Sequence, residues 1–438
     1  MADQHSGEIV ATLHHVLNQL VSNPCPHVSN PDGCKKRASV AVVIRVRPAY
    51  SPVPEAHGSI VHIEPRDSAA SSLDDFFSRE WVRHGDAEVL FIKRAGRVGD
   101  SWSGHIALPG GRRDADDESD IAAAIRETRE EVGLDLRAPN CLPVGDLPER
   151  VVATTGRREA LMVLCPYIFL YTSKDVPRVS PQPTEVASAH WVPIRALLSP
   201  NLRTSEYVDT SSRMVKQGGP VAGILLRTLI GSMVFSAIRL APSESIFASS
   251  IPGFIPSTGE TRLEMFLEGA FGIAPKEKKK GLTHQQPLLL WGLTLGILAD
   301  LLDMLPPHNA VDLWRYPTFT APDLRLLVWM LTRGSRQNNA GDLSAGTWPS
   351  SRLASQTAVD ATTEAIAVME PKSELKRNEV GISGLAVGSQ RQDASSKLLA
   401  GYYERINVAV GVFVAYRTIL GSAAAYWVYK MWHNRRSG

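Results

Sequence analysis

The chain has 438 residues, 47 Lys and Arg against 45 Asp and Glu for a formal net charge of +2, and 44% hydrophobic and 21% charged residues. These ordinary proportions exclude wholesale disorder and a polytopic membrane protein, and the near balance of charge gives no electrostatic footprint for nucleic acid. Four cysteines (Cys25, Cys34, Cys141 and Cys165) cannot staple a chain of this length, so a reducing, intracellular setting is expected.

Residues 1–35 read as an N-terminal tail carrying one short amphipathic helix, since Ile9, Leu13, Val16, Leu17 and Leu20 recur at helical spacing. The absence of Lys and Arg from residues 1–34 argues against a mitochondrial presequence. Residues 36–332 read as the main domain. Within it the β-branched run 38–47 predicts a buried strand and 88–94 a second one. A Pro- and Ser-rich insertion over 48–72 separates them. Residues 107–111 (ALPGG) interrupt regular structure, and 119–131 predict the clearest helix of the chain. Further strands are expected over 160–171 and 186–193, with a helix beginning over 194–198. Two apolar helices are expected over 221–230 and 288–302. The uninterrupted apolar run of the second covers about twelve residues and stops at Asp300, short of the ~20 that a bilayer span requires, so it reads as a buried helix. The basic residues at 276–280 read as a solvated loop.

Composition then shifts. Residues 333–400, rich in Ser, Ala, Gly, Gln and Asn, predict a disordered linker. Residues 401–438 follow as a C-terminal apolar helix with a basic tail. The nearly uniform apolar run 406–429 supplies about 36 Å of helix against a hydrocarbon thickness of ~30 Å. Tyr426, Trp427, Tyr429 and Trp432 suit an interfacial belt, and Lys430, Arg435 and Arg436 a basic flank. Arg417, near the middle of the run, opposes spanning by ~2.5–3.5 kcal/mol. A membrane helix is the favoured reading, because the linker separates this segment from any core that could bury it. The alternatives are a helix folded back onto the main domain or one lying flat on a membrane.

Chemistry concentrates in residues 109–134, PGGRRDADDESDIAAAIRETREEVGL. On a helical wheel Ile121, Ile125, Thr128 and Val132 form one narrow stripe, while Glu127, Glu130 and Glu131 sit at i, i+3 and i+4 on another face. Three carboxylates so close repel one another unless a cation lies among them. All-oxygen ligands select a hard ion, Mg²⁺ first and Mn²⁺ second. Gly133 suits a left-handed helix cap, and Pro109-Gly110-Gly111 allows the backbone to approach the helix and a ligand. The bland alternative is a solvated acidic face with Arg126 and Arg129 as ion-pair partners.

The same stretch resembles the Nudix box, GX5EX7REUXEEXGU with U a bulky aliphatic residue. Glu118, seven intervening residues, Arg126-Glu127, Glu130-Glu131, Gly133 and Leu134 stand at the required spacings. Arg112 occupies the position of the first glycine, with Gly111 one residue early, and Thr128 replaces the aliphatic residue. Its methyl can face the core while its hydroxyl bonds back to the helix. The resemblance implies an α/β/α sandwich with a mixed sheet, and metal ligation by Glu127, Glu130 and Glu131. It further implies that Arg126 orients the carboxylates and that Glu118 is an auxiliary acidic residue. The implied reaction is metal-dependent hydrolysis of a nucleoside diphosphate linked to another moiety. Glu185 is one loop candidate for the general base, its bland reading being a surface residue entering a strand.

The preceding segment, residues 90–111, resembles the coenzyme A diphosphatase branch of that family at Leu90, Arg94-Ala95, Gly104 and Pro109-Gly110-Gly111. Arg94, Gly110 and Gly111 are therefore the expected substrate-binding residues. Asp100 stands where the branch has a second arginine, which removes a bidentate phosphate contact. Leu290-Trp291-Gly292-Leu293-Thr294 is similar to a late WG-T helix of the branch, with plain core packing as the alternative. The competing function is a catalytically silent Nudix-like binding module displayed on a membrane; a nucleic-acid decapping enzyme is disfavoured by charge.

Overall fold

The computed structural model of the chain describes residues 2–49, 69–96, 104–153, 160–175, 177–208, 230–250, 287–306, 315–344, 399 and 401–436. The expected helix at 221–229, the basic residues at 276–280, Asp100 and most of the expected linker lie outside the described residues.

Strand β1 (Arg37–Arg47) is the centre of the fold. Its run of Val and Ile is buried on both faces, the pattern of a strand covered on two sides. It pairs antiparallel with β2 (Asp86–Arg94) and parallel with β7 (Ala160–Tyr171), which makes the sheet mixed. β8 (Val186–Pro193) extends the sheet beyond β2, and β5 (Cys141–Asp146) extends it beyond β7. Short strands β3 (Ile106–Ala107), β4 (Gly110–Arg112) and β6 (Arg150–Ala153) pair with β2, β1 and β7. With β11 (Glu244–Phe247) on β8, the sheet has nine strands.

Alternation along β1 sorts its side chains between two cores. Val42, Ile44 and Val46 join Ile9, Leu13, Val16, Leu17 and Leu20 of helix α1 (Ala2–Ser22). Helices α2 (Ala69–Ser78) and α5 (Ile194–Leu198) contribute Phe76 and Leu197 to that layer. Ala41 and Val43 face the opposite layer, where Ile121, Ile125 and Val132 of helix α4 (Asp120–Val132) pack. The short α3 (Glu80–Arg83) precedes β2. The result is the expected α/β/α sandwich.

A second sheet joins β9 (Arg203–Val208), β10 (Met233–Arg239), β12 (Leu289–Trp291) and β13 (Thr318–Phe319). The expected helix over 288–302 is corrected at its start. Leu289–Trp291 pair with β10, and Gly292 at φ 65° turns the chain into helix α6 (Gly292–Asp303). A positive φ suits glycine and ends the strand there.

The expected linker boundary at 333 is also corrected, because helix α7 runs over Pro322–Ser344. Helix α8 (Tyr402–Arg436) is not isolated from a core. Tyr402, Ile406, Ala409 and Phe413 are buried with Leu324 and Val328 of α7 and with Met233 and Phe319 of the second sheet. Burial of Ile406 and Phe413 contributes about 1.5–3 kcal/mol each. Arg417 pairs with Asp323 of α7 at 2.9 Å through its Nε, and the Tyr416 hydroxyl donates to the same carboxylate. Beyond Arg417 the helix is exposed on all sides.

Candidate active site

Helix α4 is set by its own sequence. The Ser119 hydroxyl accepts the Ala122 amide at 3.2 Å and caps the N-terminus. At the other end Gly133 adopts φ 71° and donates to Arg129 O at 2.9 Å. Thr128 at the aliphatic position is buried, and its hydroxyl bonds to Ala124 O at 2.7 Å. The substitution therefore leaves no orphaned polar group.

The three glutamates do not sit in equal surroundings. Glu131 is buried and accepts the Gly110 amide at 2.8 Å. Burial pushes its carboxyl up to about 8, with the Glu127 and Glu185 charges adding to the shift. Glu127 is also raised, mainly by burial. Glu130 is exposed, 2.8 Å from Arg126.

The strand β4 closes on these carboxylates. A Cβ on Gly111 would meet the Glu127 carboxylate oxygens at 2.5 and 2.6 Å, and one on Gly110, already at φ 146°, would meet Val40 Cα at 2.6 Å. Only glycine permits that approach at Gly110, whose neighbours are backbone atoms; at Gly111 the Glu127 carboxylate would have to swing away. The oxygen-only donor set and the unfavourable ionisation of Glu131 both fit a hard divalent cation. Glu127, Glu130 and Glu131 could hold it, with Glu185 adding a fourth negative group on the same side.

Arg126 is fixed by a residue that the spacing did not single out. Its Nε and Nη2 each donate to Asp117 at 3.0 Å, a bidentate pair, and Nη2 also donates to Arg112 O at 3.0 Å. The pair holds the Asp117 carboxyl below its usual range. Glu118 is exposed, and Arg126 is held by Asp117 instead. Asp117 accepts the Asp114 amide at 2.8 Å, so a tight turn in the DADD run brings it inward.

Beside the carboxylates lies a cavity of about 220 Å³ that includes Arg94, Gly110 and Gly111 in its wall. Its far wall is Trp291, Leu293 and Thr294 at the start of α6. Trp291 meets His105 edge-on, ring centroids 4.9 Å apart. A buried ion pair between Arg150 of β6 and Asp300, with Arg150 also donating to Gly296 O at 2.9 Å, ties α6 to the main sheet. The late tryptophan helix therefore borders the site as well as packing in the core.

A second cluster, His27, Asp120 and Glu149, has ligand atoms within 4.8 Å of one another. Arg37 already occupies it, donating to Asp120 at 2.7 Å and Glu149 at 2.8 Å. The protein's own guanidinium balances these charges.

Residues 81–209 match the NUDIX domain. An uncharacterised protein of Schizosaccharomyces pombe is 31% identical over 336 residues, covering 75% of this chain and 84% of that one. Nudix hydrolase 15, mitochondrial, of Arabidopsis thaliana is 30% identical over 157 residues, 33% of this chain; the chain spans about half of that relative, 52%. A Nudix hydrolase structure from M. smegmatis covers 40% of this chain and 81% of its own at 18% identity, and its TM-score of 0.24 adds nothing to the assignment. The matched domain, the box carboxylates gathered against two glycines and the sandwich that presents them show that the chain carries a Nudix domain similar to that of Nudix hydrolases.

Proposed function

We propose that the enzyme cleaves the pyrophosphate bond of a small nucleoside diphosphate-linked compound, with coenzyme A and its derivatives as the first class to test. The observation that carries this reading is the juxtaposition of the glutamate cradle with the cavity bounded by Arg94, Gly110, Gly111 and Trp291. Glu127, Glu130 and Glu131 would hold Mg²⁺ or Mn²⁺. The bound cation supplies charge neutralisation at the phosphate oxygens and an acidified water. Arg126, clamped by Asp117, fixes the carboxylates in position. Glu185 is the candidate to take the water's proton. Arg94 offers a guanidinium to a substrate phosphate, and the Trp291–His105 pair offers an aromatic face to a base. The cavity is largely apolar beyond Arg94, which suits a substrate with one uncharged half. A panel of coenzyme A, acyl derivatives, dinucleoside polyphosphates and nucleotide sugars, assayed with each metal for nucleoside monophosphate release, tests the reading. No release from any of them would leave the competing binding-module reading in its place.

The chain is further read as tethered to a membrane with the catalytic domain on the cytosolic side. Tyr402–Arg436 is, among the described residues, the one helix long and apolar enough to cross a bilayer. Its first turns are buried against α7, so the expected span of 406–429 shifts to 418–434, about 25 Å of helix. That is somewhat short of ~30 Å, a mismatch met by modest bilayer thinning and by Lys430 reaching the far interface. Arg417 then lies at the near interface, paired with Asp323, and its mid-membrane cost disappears. Full-length protein recovered from cells in the soluble fraction without detergent would overturn this anchor.

A further inference from the structure

Helix α7 presents Arg325, Trp329, Arg333 and Arg336 on one face, at i, i+4, i+8 and i+11. This face forms one wall of an open cavity of about 790 Å³, and Arg315 and Tyr316 form another. Tyr402 of α8 lines its base and donates to Pro317 O at 2.6 Å. The cavity is remote in sequence from the box and shares no residue with the cavity beside it.

Four guanidiniums line this groove, and among the described residues none of them forms an ion pair with a carboxylate. Asp323, in the first turn of α7, is taken by Tyr416 and Arg417. Arg333 instead lies over the Trp329 ring at 5.4 Å, and Arg336 over Tyr316 at 5.3 Å. These contacts hold the planes of the guanidiniums while leaving their N–H edges open. The Tyr316 hydroxyl is buried without a hydrogen-bond partner. Like charges held together with no carboxylate paired to them among the described residues repel one another, and in a chain with nearly equal numbers of basic and acidic residues such a set stands out.

We propose that this groove binds an anion carrying two or more phosphate groups. Guanidinium is the side chain that grips phosphate bidentately, and the cavity volume falls within the ~300–1,000 Å³ typical of small-molecule sites. From Arg325 to Arg336 the helix rises about 16 Å, too long for one phosphate and suited to several on one ligand. The ligand is a soluble polyphosphate or a polyphosphorylated lipid headgroup. Asp323 and Arg417 sit at the Arg325 end of the groove, where the exposed part of α8 begins.

The test uses the full chain in detergent, with EDTA present so that the hydrolase site holds no metal. Calorimetric titration with sodium tripolyphosphate forms one arm. Calorimetric titration with mixed detergent–phosphatidylcholine micelles, with and without phosphatidylinositol bisphosphate, forms the other. The variant is Arg325→Gln/Arg333→Gln, chosen because both side chains are exposed and their replacement leaves the core intact. At least about tenfold weaker binding by the variant is expected, with hydrolysis of the nucleoside diphosphate substrate in Mg²⁺ unchanged. Loss in the tripolyphosphate arm identifies a soluble ligand, and loss confined to the phosphoinositide micelles identifies a headgroup. Equal binding by variant and parent in both arms, or no binding in either, overturns the proposal. Either result stands apart from failure of the substrate panel, which reads only the box.

Discussion

The two ends of helix α4 each gather buried carboxylates, and the two clusters have opposite electrostatics. At the N-terminal end Asp120 and Glu149 face Arg37, whose guanidinium is held firmly protonated by them. At the C-terminal end Glu131 is buried and Glu127 half-buried, with Glu185 nearby. Arg126 touches Glu127 and Glu130, and Arg94 draws Glu131 down, yet burial outweighs both and leaves Glu127 and Glu131 raised. Carboxylate proximity alone therefore does not mark a cation site. What sets the box cluster apart is that the chain's own cations do not offset the cost of burying Glu127 and Glu131.

The largest effect expected from breaking this contrast is on turnover. Glu131→Gln and Glu130→Gln should each cost ~10²–10³-fold in rate with the circular dichroism spectrum unchanged. A Glu130→Gln enzyme near parental activity at saturating Mg²⁺ would remove Glu130 from the ligand set. Arg37→Ala attacks the other cluster and should cost about 3 kcal/mol of stability in urea unfolding, since two buried carboxylates lose their partner. The same variant should regain thermal stability on addition of Mn²⁺, which the parent cluster would not. Asp117→Asn should reduce turnover roughly tenfold by loosening Arg126, whereas Glu118→Gln should leave it near parental. Equal effects at the two positions would give Glu118 a part in the site equal to that of Asp117.

The smallest effect is a pH dependence. Glu131 sits at about 8 in the folded metal-free chain against an ordinary value of 4.5. The folded state therefore binds a proton that the unfolded state has released between those values, and the associated stability is lost as pH rises toward 8. In EDTA the melting temperature should fall over that window, and Mg²⁺ should flatten the fall. A metal-free profile that rises with pH there would contradict the burial of Glu131.

Local chemistry was the part most legible in the sequence. The Thr128 back-bond and the Gly133 turn each depend on residues within one helical turn, and both form as expected. The strands Ala160–Tyr171 and Val186–Pro193 were equally plain, being largely apolar segments bounded by polar and Pro-containing stretches. Asp117 escaped because a linear spacing counts residues, while the Asp114–Asp117 turn decides which carboxylate points inward. The strand Leu289–Trp291 escaped because an apolar run has no period to separate strand from helix, and only Gly292 ends it. The docking of α8 was illegible for a different reason. Its partners Met233 and Phe319 lie far away along the chain, and helical periodicity says nothing about which surface accepts a face.

The far wall of the substrate cavity has a consequence for how the protein is made. Trp291 and Thr294 lie more than 150 residues after the box, and Leu295, Ile297, Leu298 and Leu301 of the same helix complete the core that α1 begins. A ribosome adding ~5–20 residues per second needs roughly 5–19 seconds to travel from the end of β9 to the end of α6. During that interval the box has been synthesised while one side of its cavity and part of the layer beneath β1 have not. The span 81–209 that bears the family match is thus not the unit that folds. Any fragment cut at its borders would carry the box carboxylates without the far wall of the cavity beside them.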